Sequence, residues 1–272
     1  MSKYTKDLLV IIPVHEFNDG IKTLLGKAIN SVPENIDIII STVDGVLTKV
    51  NEFIKDINNN NSRQINTVSS VKKNAKSDFC TLVNQGVNDD YKWFSILEFD
   101  DEYSSIWFDN VKKNIEYNPD VSVFLPLTDL IKFDDNKFTG YGNEAPWASS
   151  FSSELGYIDN ECLQHFFDFY LTGGVFNTQD FLNVGGLKSS IKLTFWYEFL
   201  LRITNDGKKV YVIPKIGYKH MVNRPESLYN IYMNTIDEEE GKWWYELAKK
   251  EYLYKKDRNK VYEKITPETE GK

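Results

Sequence analysis

Apolar and polar positions along this chain alternate in two periods. Leu8-Leu-Val-Ile-Ile-Pro-Val14 is an unbroken apolar run, the pattern of a strand covered on both faces. Asp19 to Ser31 follows with Leu24, Leu25, Ala28 and Ile29 on one helical stripe, and Pro33 stops it. Ile36 to Ser41 reads as a second buried strand. Val46 to Ile57 reads as a second helix, with Val46, Leu47, Val50, Phe53, Ile54 and Ile57 on its apolar face. After a polar loop, Asn58 to Ser62, the succession recurs. Strands are predicted at Ile65–Ser69, Tyr91–Phe99 and Val121–Leu125, and helices at Asp78–Gly86 and Ile106–Tyr117. This alternation predicts an α/β fold with a mainly parallel sheet and helices on both faces. Ligands of such sheets bind beyond the carboxyl ends of the strands. Three polar strand ends fall there: His15-Glu16, Asp44-Gly45 and Glu98-Phe-Asp-Asp-Glu102.

The second half is less regular. Asp134 to Ser153 is rich in Gly, Asn, Ser and aromatic residues and has no clear period. A loop of that length is expected to be a lid or a disordered insertion. Cys162 to Leu171 is aromatic and suits strand or helix. A short helix, Thr178 to Val184, lies between two glycine pairs. Phe195 to Thr204 is an apolar helix, Lys209–Ile213 a strand ended by Pro214, and Ile216–His220 a strand end carrying a histidine. The tail from Asp237 to Lys272 is charged. It offers Trp243, Trp244, Leu247, Tyr252 and Tyr254 for docking, with its last residues frayed.

Composition narrows the function classes. The 272 residues, 41% apolar, suffice for one large α/β domain. A net charge of -8 argues against a bulk electrostatic grip on nucleic acid. Cys80 and Cys162 lack zinc-site spacing and suit a reducing compartment. No segment has the length and apolarity of a membrane span, and the start lacks a cleavage site. A soluble, cytoplasmic protein is expected.

The acidic box Glu98-Phe99-Asp100-Asp101-Glu102 carries the chemistry. Clustered carboxylates repel, so either water or a bound cation must hold them together. Hard oxygen ligands suit Mg²⁺ or Mn²⁺, which in turn can hold nucleotide phosphates.

Four segments in order carry a resemblance: Val10-Ile-Ile-Pro-Val-His15; Ile38-Ile-Ile-Ser-Thr-Val-Asp-Gly45; Leu97-Glu-Phe-Asp-Asp101; and the set Gly173-Gly-Val-Phe176, Val184-Gly-Gly186, Tyr197-Glu-Phe-Leu-Leu-Arg202 and Gly207-Lys-Lys-Val210. Together they resemble the GT-A glycosyltransferases, especially the family 2-like inverting enzymes. The resemblance implies a Rossmann-like catalytic domain over 1–227. Residues 1–125 would form its nucleotide-sugar-binding half and 126–227 its acceptor-side half, with 228–272 as a helical C-terminal appendage. It also implies a nucleotide-sugar donor, a UDP-sugar by default, with Mn²⁺ or Mg²⁺ and an inverting transfer. The acceptor stays open between saccharide, protein and modified nucleic-acid base.

By the same resemblance Pro13, His15 and Glu16 line the base pocket. Asp44 accepts from the base edge, unless it only forms a turn before Gly45. Asp101 is the expected metal ligand, joined by Asp100, with Glu98 close by; one of these acids touches the donor ribose instead. His220 completes the metal or diphosphate site, or is structural. Arg224 reaches the diphosphate or lies on the surface. Glu198 is the candidate base, desolvated by Phe195, Trp196, Tyr197 and Phe199, with an i, i+4 pair to Arg202 as the alternative. Tyr141 and Trp147 are expected to stack on sugar rings.

Two departures stand out. The family often carries Glu-Asp on the acceptor-side helix, where Thr194-Phe-Trp-Tyr-Glu198 has one acid, and Glu98 replaces the first Asp of the metal box. Both leave room for a degenerate fold used as a binding module. A nucleotidyltransferase would more often place a Gly-rich basic loop after the first strand, where this chain reads His15-Glu-Phe-Asn-Asp-Gly20.

Overall fold

The computed structural model of the protein describes residues 6–58, 65–69, 78–149, 151, 154–160, 162–235, 239, 242–243 and 245–252. Most of the expected polar loop after Asn58, and Trp244, Tyr254 and the frayed end of the tail, lie outside these residues. In chain order the elements are β1 (Lys6–Val14), α1 (Asp19–Ser31), β2 (Asp37–Thr42), α2 (Asp44–Asn58), β3 (Ile65–Val68), α3 (Asp78–Gly86) and β4 (Tyr91–Ile96). The two-residue β5 (Glu102–Tyr103) leads to α4 (Trp107–Tyr117), β6 (Val121–Lys132), β7 (Phe138–Gly142), β8 (Tyr157–Ile158) and β9 (Val175–Asn177). The chain then forms α5 (Thr178–Asn183), α6 (Phe195–Asn205), β10 (Lys209–Val222) and α7 (Leu228–Thr235). Residues 245–252 are helical as well.

The strands form one ten-stranded sheet in the order β3-β2-β1-β4-β9-β6-β10-β5, with β7 on β6 and β8 on β10. The pairs β1–β2, β1–β4, β2–β3 and β6–β10 are parallel. β9 runs antiparallel between β4 and β6. The continuous apolar runs are explained by cores on both faces. Leu9 and Ile11 of β1 join the core that holds Val83, Phe181 and Phe199, while Val10, Ile12 and Val14 join the core of Leu25, Val50 and Trp107. Each such buried side chain contributes about 1.5–3 kcal/mol.

Three expectations are corrected. First, the strand that carries the acidic box stops at Ile96 rather than Phe99. Past it the backbone finds other partners: the Glu98 amide donates to the Tyr218 hydroxyl (3.1 Å) and the Asp101 amide to the Glu98 carbonyl (3.1 Å). Second, the expected lid over Asp134–Ser153 contains β7, which forms a hairpin with β6, and a 3₁₀ turn at Ala145–Trp147. Phe138 and Tyr141 are half exposed on that hairpin, so its sequence shows no buried alternation. Third, Pro214 does not end a strand. β10 runs through it, with register shifts between Ile213 and Tyr218, and Ile213 lies opposite Pro126 of β6. The missing proline N–H groups fall where the ladder is already irregular.

Gly173, which leads into β9, sits at φ 77° and its amide donates to Ile96 (2.8 Å). A Cβ there would come within 2.5 Å of the Tyr218 ring. Gly173→Ala is therefore expected to cost about 1–3 kcal/mol, from the left-handed backbone and the overpacked ring together. Thermal unfolding reads this directly, and an unchanged midpoint would refute it.

Candidate functional site

The site stands at the carboxyl edge of the sheet. Pro13 and His15 come from the end of β1, the acidic box from the turn after β4, and residues 219–224 from the far end of β10. What joins the last two is β5: Tyr103 pairs with Tyr218 and Glu102 with Lys219, antiparallel. That short ladder brings Asp101 against His220 across 119 positions of chain. His220 Nδ1 lies 2.8 Å from Asp101 Oδ2, and the Met221 amide donates to Asp101 Oδ1 (2.8 Å).

Glu98, Asp101 and His220 each offer one ligand atom, and these atoms lie within 4.8 Å of one another. Two carboxylates and an imidazole form a donor set that suits Mn²⁺ or a similar divalent ion. Asp101 is 1% exposed. The electrostatics of the cluster favour a bound cation. Burial first, and the Asp101 charge second, push Glu98 up to about 8. Burial disfavours a protonated His220, yet Asp101, Glu98 and Asp100 outweigh it and raise His220 to about 9. The group therefore keeps extra protons that a cation would displace.

Asp100 is placed differently from the expectation that it is a metal ligand. It is buried and accepts from Arg224 Nε (2.6 Å), while the Arg224 guanidinium lies 4.9 Å from the centre of the Phe99 ring. Burial, then Asp101, raises its pKa against the opposing pull of Arg224. A carboxylate tied to a guanidinium is poorly placed to ligate, and Glu98 takes its position in the triad. Arg224 is 5% exposed rather than on the surface.

A cavity of about 270 Å³ opens beside this cluster, with Pro13, His15, Glu98, Asp100, His220 and Arg224 in its wall. The first turn of α6, α7 and Tyr245 of the C-terminal helix close the other side. Glu16 and Asp44 are not in that wall. Glu16 stands beside His15 (3.5 Å), and Asp44, exposed at the start of α2, accepts from the Ser69 hydroxyl. The two aromatic residues expected to stack on sugars are also elsewhere. Trp147 packs at Tyr211 with its Nε1 donating to Val212 (3.1 Å), and Tyr141 packs on Phe138. In their place Tyr170, Trp196, Tyr229 and Tyr245 face the cavity. Periodicity could not assign them, because they come from a loop and from helices that meet only in the fold.

Glu198 is a correction. Its side chain is 0% exposed, outside the cavity wall, and held by Arg202 Nε (2.8 Å), Arg202 Nη2 (2.9 Å), Lys188 (2.8 Å) and the Tyr252 hydroxyl (2.7 Å). Burial alone would raise its pKa, but these donors outweigh burial and hold it below the ordinary carboxylate value. The flanking aromatics were expected to raise it toward neutrality. The Arg202 pair explains the difference, and it is buried in the core rather than set on a helix surface. Arg202 also donates to the Val184 and Gly186 carbonyls, which fastens α6 to the glycine turn after α5.

The sheet and its flanking helices have the GT-A fold, which the chain shares with solved glycosyltransferase structures. No protein-family model matches the chain and no curated protein matches it in sequence. Among solved structures it is similar to S. aureus TarS 1-349 in complex with UDP-GlcNAc, with TM-score 0.57 and 10% identity over 82% of this chain and 60% of that one. It is also similar to the mannosyltransferase PcManGT from Pyrobaculum calidifontis in complex with GDP-Man and Mn²⁺, with TM-score 0.58 and 14% identity over 82% of this chain and 59% of that one. The chain thus spans about three-fifths of the length of those chains. At such identities the likeness is one of fold. Among the described residues no helix is long and apolar enough to cross a membrane.

Two measurements follow from these charges. Glu98 and His220 both bind protons more tightly folded than unfolded, so the folded state holds more protons between their ordinary and raised pKa values. Stability of the metal-free protein should therefore fall as pH rises from about 5 to about 9, and Mn²⁺ should raise the melting temperature more at about pH 8.5 than at about pH 6. A flat metal-free profile would contradict this. Glu198→Ala strands Arg202 beside the core and should cost about 3–5 kcal/mol in urea unfolding. A loss under about 1 kcal/mol would show a surface-like pair instead.

Proposed function

We propose that this protein is a divalent-cation-dependent glycosyltransferase that moves a sugar from a nucleoside diphosphate donor to a hydroxyl acceptor with inversion. The observation that carries the reading is the convergence of Glu98, Asp101 and His220 beside the cavity at the sheet's carboxyl edge, with Glu98 and His220 in its wall. Similarity in fold to structures complexed with UDP-GlcNAc and with GDP-Man and Mn²⁺ supports it.

In this reading Glu98, Asp101 and His220 hold Mn²⁺ or Mg²⁺. The ion supplies Lewis-acid stabilisation of the departing diphosphate. Pro13 and His15 border the nucleoside, and Arg224, oriented by Asp100, supplies fixed positive charge toward the phosphates. The aromatic wall narrows the access of water, which keeps donor hydrolysis slow beside transfer. A UDP-sugar is the default donor. Two buried cysteines without zinc-site spacing suit a reducing, cytoplasmic setting.

Isothermal titration with UDP, with and without Mn²⁺, tests this reading. Binding should require the ion and be lost in Asp101→Asn and in Glu98→Gln, two variants that keep the shape of the turn. Absence of binding by UDP, GDP, CDP and ADP to folded protein would sink the proposal and favour a degenerate fold that acts as a binding module.

A further inference from the structure

With Glu198 sealed in the core, the proposed transfer needs another base, and the cavity wall offers the candidates. Among the described residues three carboxylates line that wall: Glu98, Asp100 and Asp168. Glu98 belongs to the cation triad and Asp100 to Arg224. Asp168 is solvent-exposed, and no hydrogen bond or ion pair to a described residue engages it.

The loop that carries Asp168 is firmly seated. On one side Phe167 packs on Tyr245, with ring centres 4.8 Å apart. On the other, Phe169 is buried against Phe166 at 5.1 Å. Asn143 then clasps Tyr170 in both directions: the Tyr170 amide donates to Asn143 Oδ1 (2.9 Å), and Asn143 Nδ2 donates to the Tyr170 carbonyl (2.9 Å). The Tyr170 ring in turn lies 5.4 Å from the His220 ring. The loop thus sets a free carboxylate on the cavity wall, two residues from a ring packed on the cation site. A general base needs that combination of fixed position and uncommitted lone pairs.

We propose that Asp168 is the general base of the transfer, acting on an acceptor hydroxyl seated among Tyr170, Trp196, Tyr229 and Tyr245. This rests on the glycosyltransferase reading. In the step, the Asp168 carboxylate takes the proton of the acceptor hydroxyl, and the hydroxyl oxygen forms the new bond to the anomeric carbon. The bond from that carbon to the diphosphate breaks, and its electron pair leaves with the nucleoside diphosphate. The groups facing Asp168 are the phenols of Tyr170, Tyr229 and Tyr245, with Lys192 also in the cavity wall. All three phenols are held above their ordinary value, by burial first and then in part by the Asp168 charge. They therefore stay protonated, and among the described carboxylates of the cavity wall Asp168 is the one engaged neither by the cation cluster nor by Arg224.

The test uses the full chain with Mn²⁺ and water as acceptor. Diphosphate release is followed from UDP-GlcNAc, UDP-glucose, UDP-galactose and GDP-mannose. Asp168→Asn should lower release about 100- to 10,000-fold and leave UDP binding and the melting temperature unchanged. Asp168→Glu should recover part of the rate. An active wild type with Asp168→Asn within about threefold of it overturns the proposal and leaves the glycosyltransferase reading standing. A wild type that binds donor with Mn²⁺ yet releases no diphosphate also overturns the base assignment, since a placed free carboxylate would activate water. A wild type that neither binds nor turns over any donor overturns the parent reading, and the base with it.

Discussion

The pairing of Glu102–Tyr103 with Tyr218–Lys219 is the constraint on which the site depends. It comprises two residue pairs, yet it folds the acidic turn back onto the last strand and so converts distant sequence into one cluster. The surrounding bonds lock it. Ser95 bonds both the Tyr103 hydroxyl (2.7 Å) and the Gly174 carbonyl (2.7 Å), and the Ser31 hydroxyl receives the Tyr103 amide (3.0 Å). One serine thus links β4, β5 and the turn before β9, and another links the end of α1. Crowded carboxylates repel, and this backbone network holds them together against that repulsion.

The first half of the fold was legible in the sequence because its strands are covered on both faces and its helices are not. Val10-Ile-Ile and Ile38-Ile-Ile are apolar on both sides, and α1 and α2 carry one stripe each, so the two periods separate cleanly. The bounds of α1 and α3 agree with the expectation to the residue. The second half lacked this contrast. β7 is half exposed, β10 is irregular at Pro214, and 162–171 is one 3₁₀ turn, Cys162–Gln164, followed by irregular backbone held by aromatic packing, so no period marks them.

The site was legible to the extent that it lies on strand ends. Asp101 and His220 could be named because one ends an apolar run and the other follows one. The exchange of Asp100 for Glu98 in the triad could not be read, because alternate side chains of a tight turn face different ways and only Arg224 decides which is tied up. The aromatic wall was misplaced to Tyr141 and Trp147 for a related reason. Aromatic content marks burial or stacking, and only the fold distinguishes the two.

Glu198 and Asp168 show how burial sorts carboxylates between support and chemistry. A carboxylate withdrawn from water costs several kcal/mol unless donors surround it. Glu198 meets that requirement with Arg202, Lys188 and Tyr252, and in doing so joins α6, the glycine turn and the C-terminal helix into one body. The same donors that make its burial tolerable occupy its lone pairs and depress its basicity, so neighbouring aromatic rings alone could not make it a base. Asp168 needs no such donors, because it stays in contact with solvent and is fixed through its neighbours Phe167, Phe169 and Tyr170 instead of through its own carboxylate. The acid that the sequence singles out by its aromatic company therefore supports the fold. The acid it passes over, Asp168, lies in a segment without period, exposed on the cavity wall and clear of the other described residues' donors.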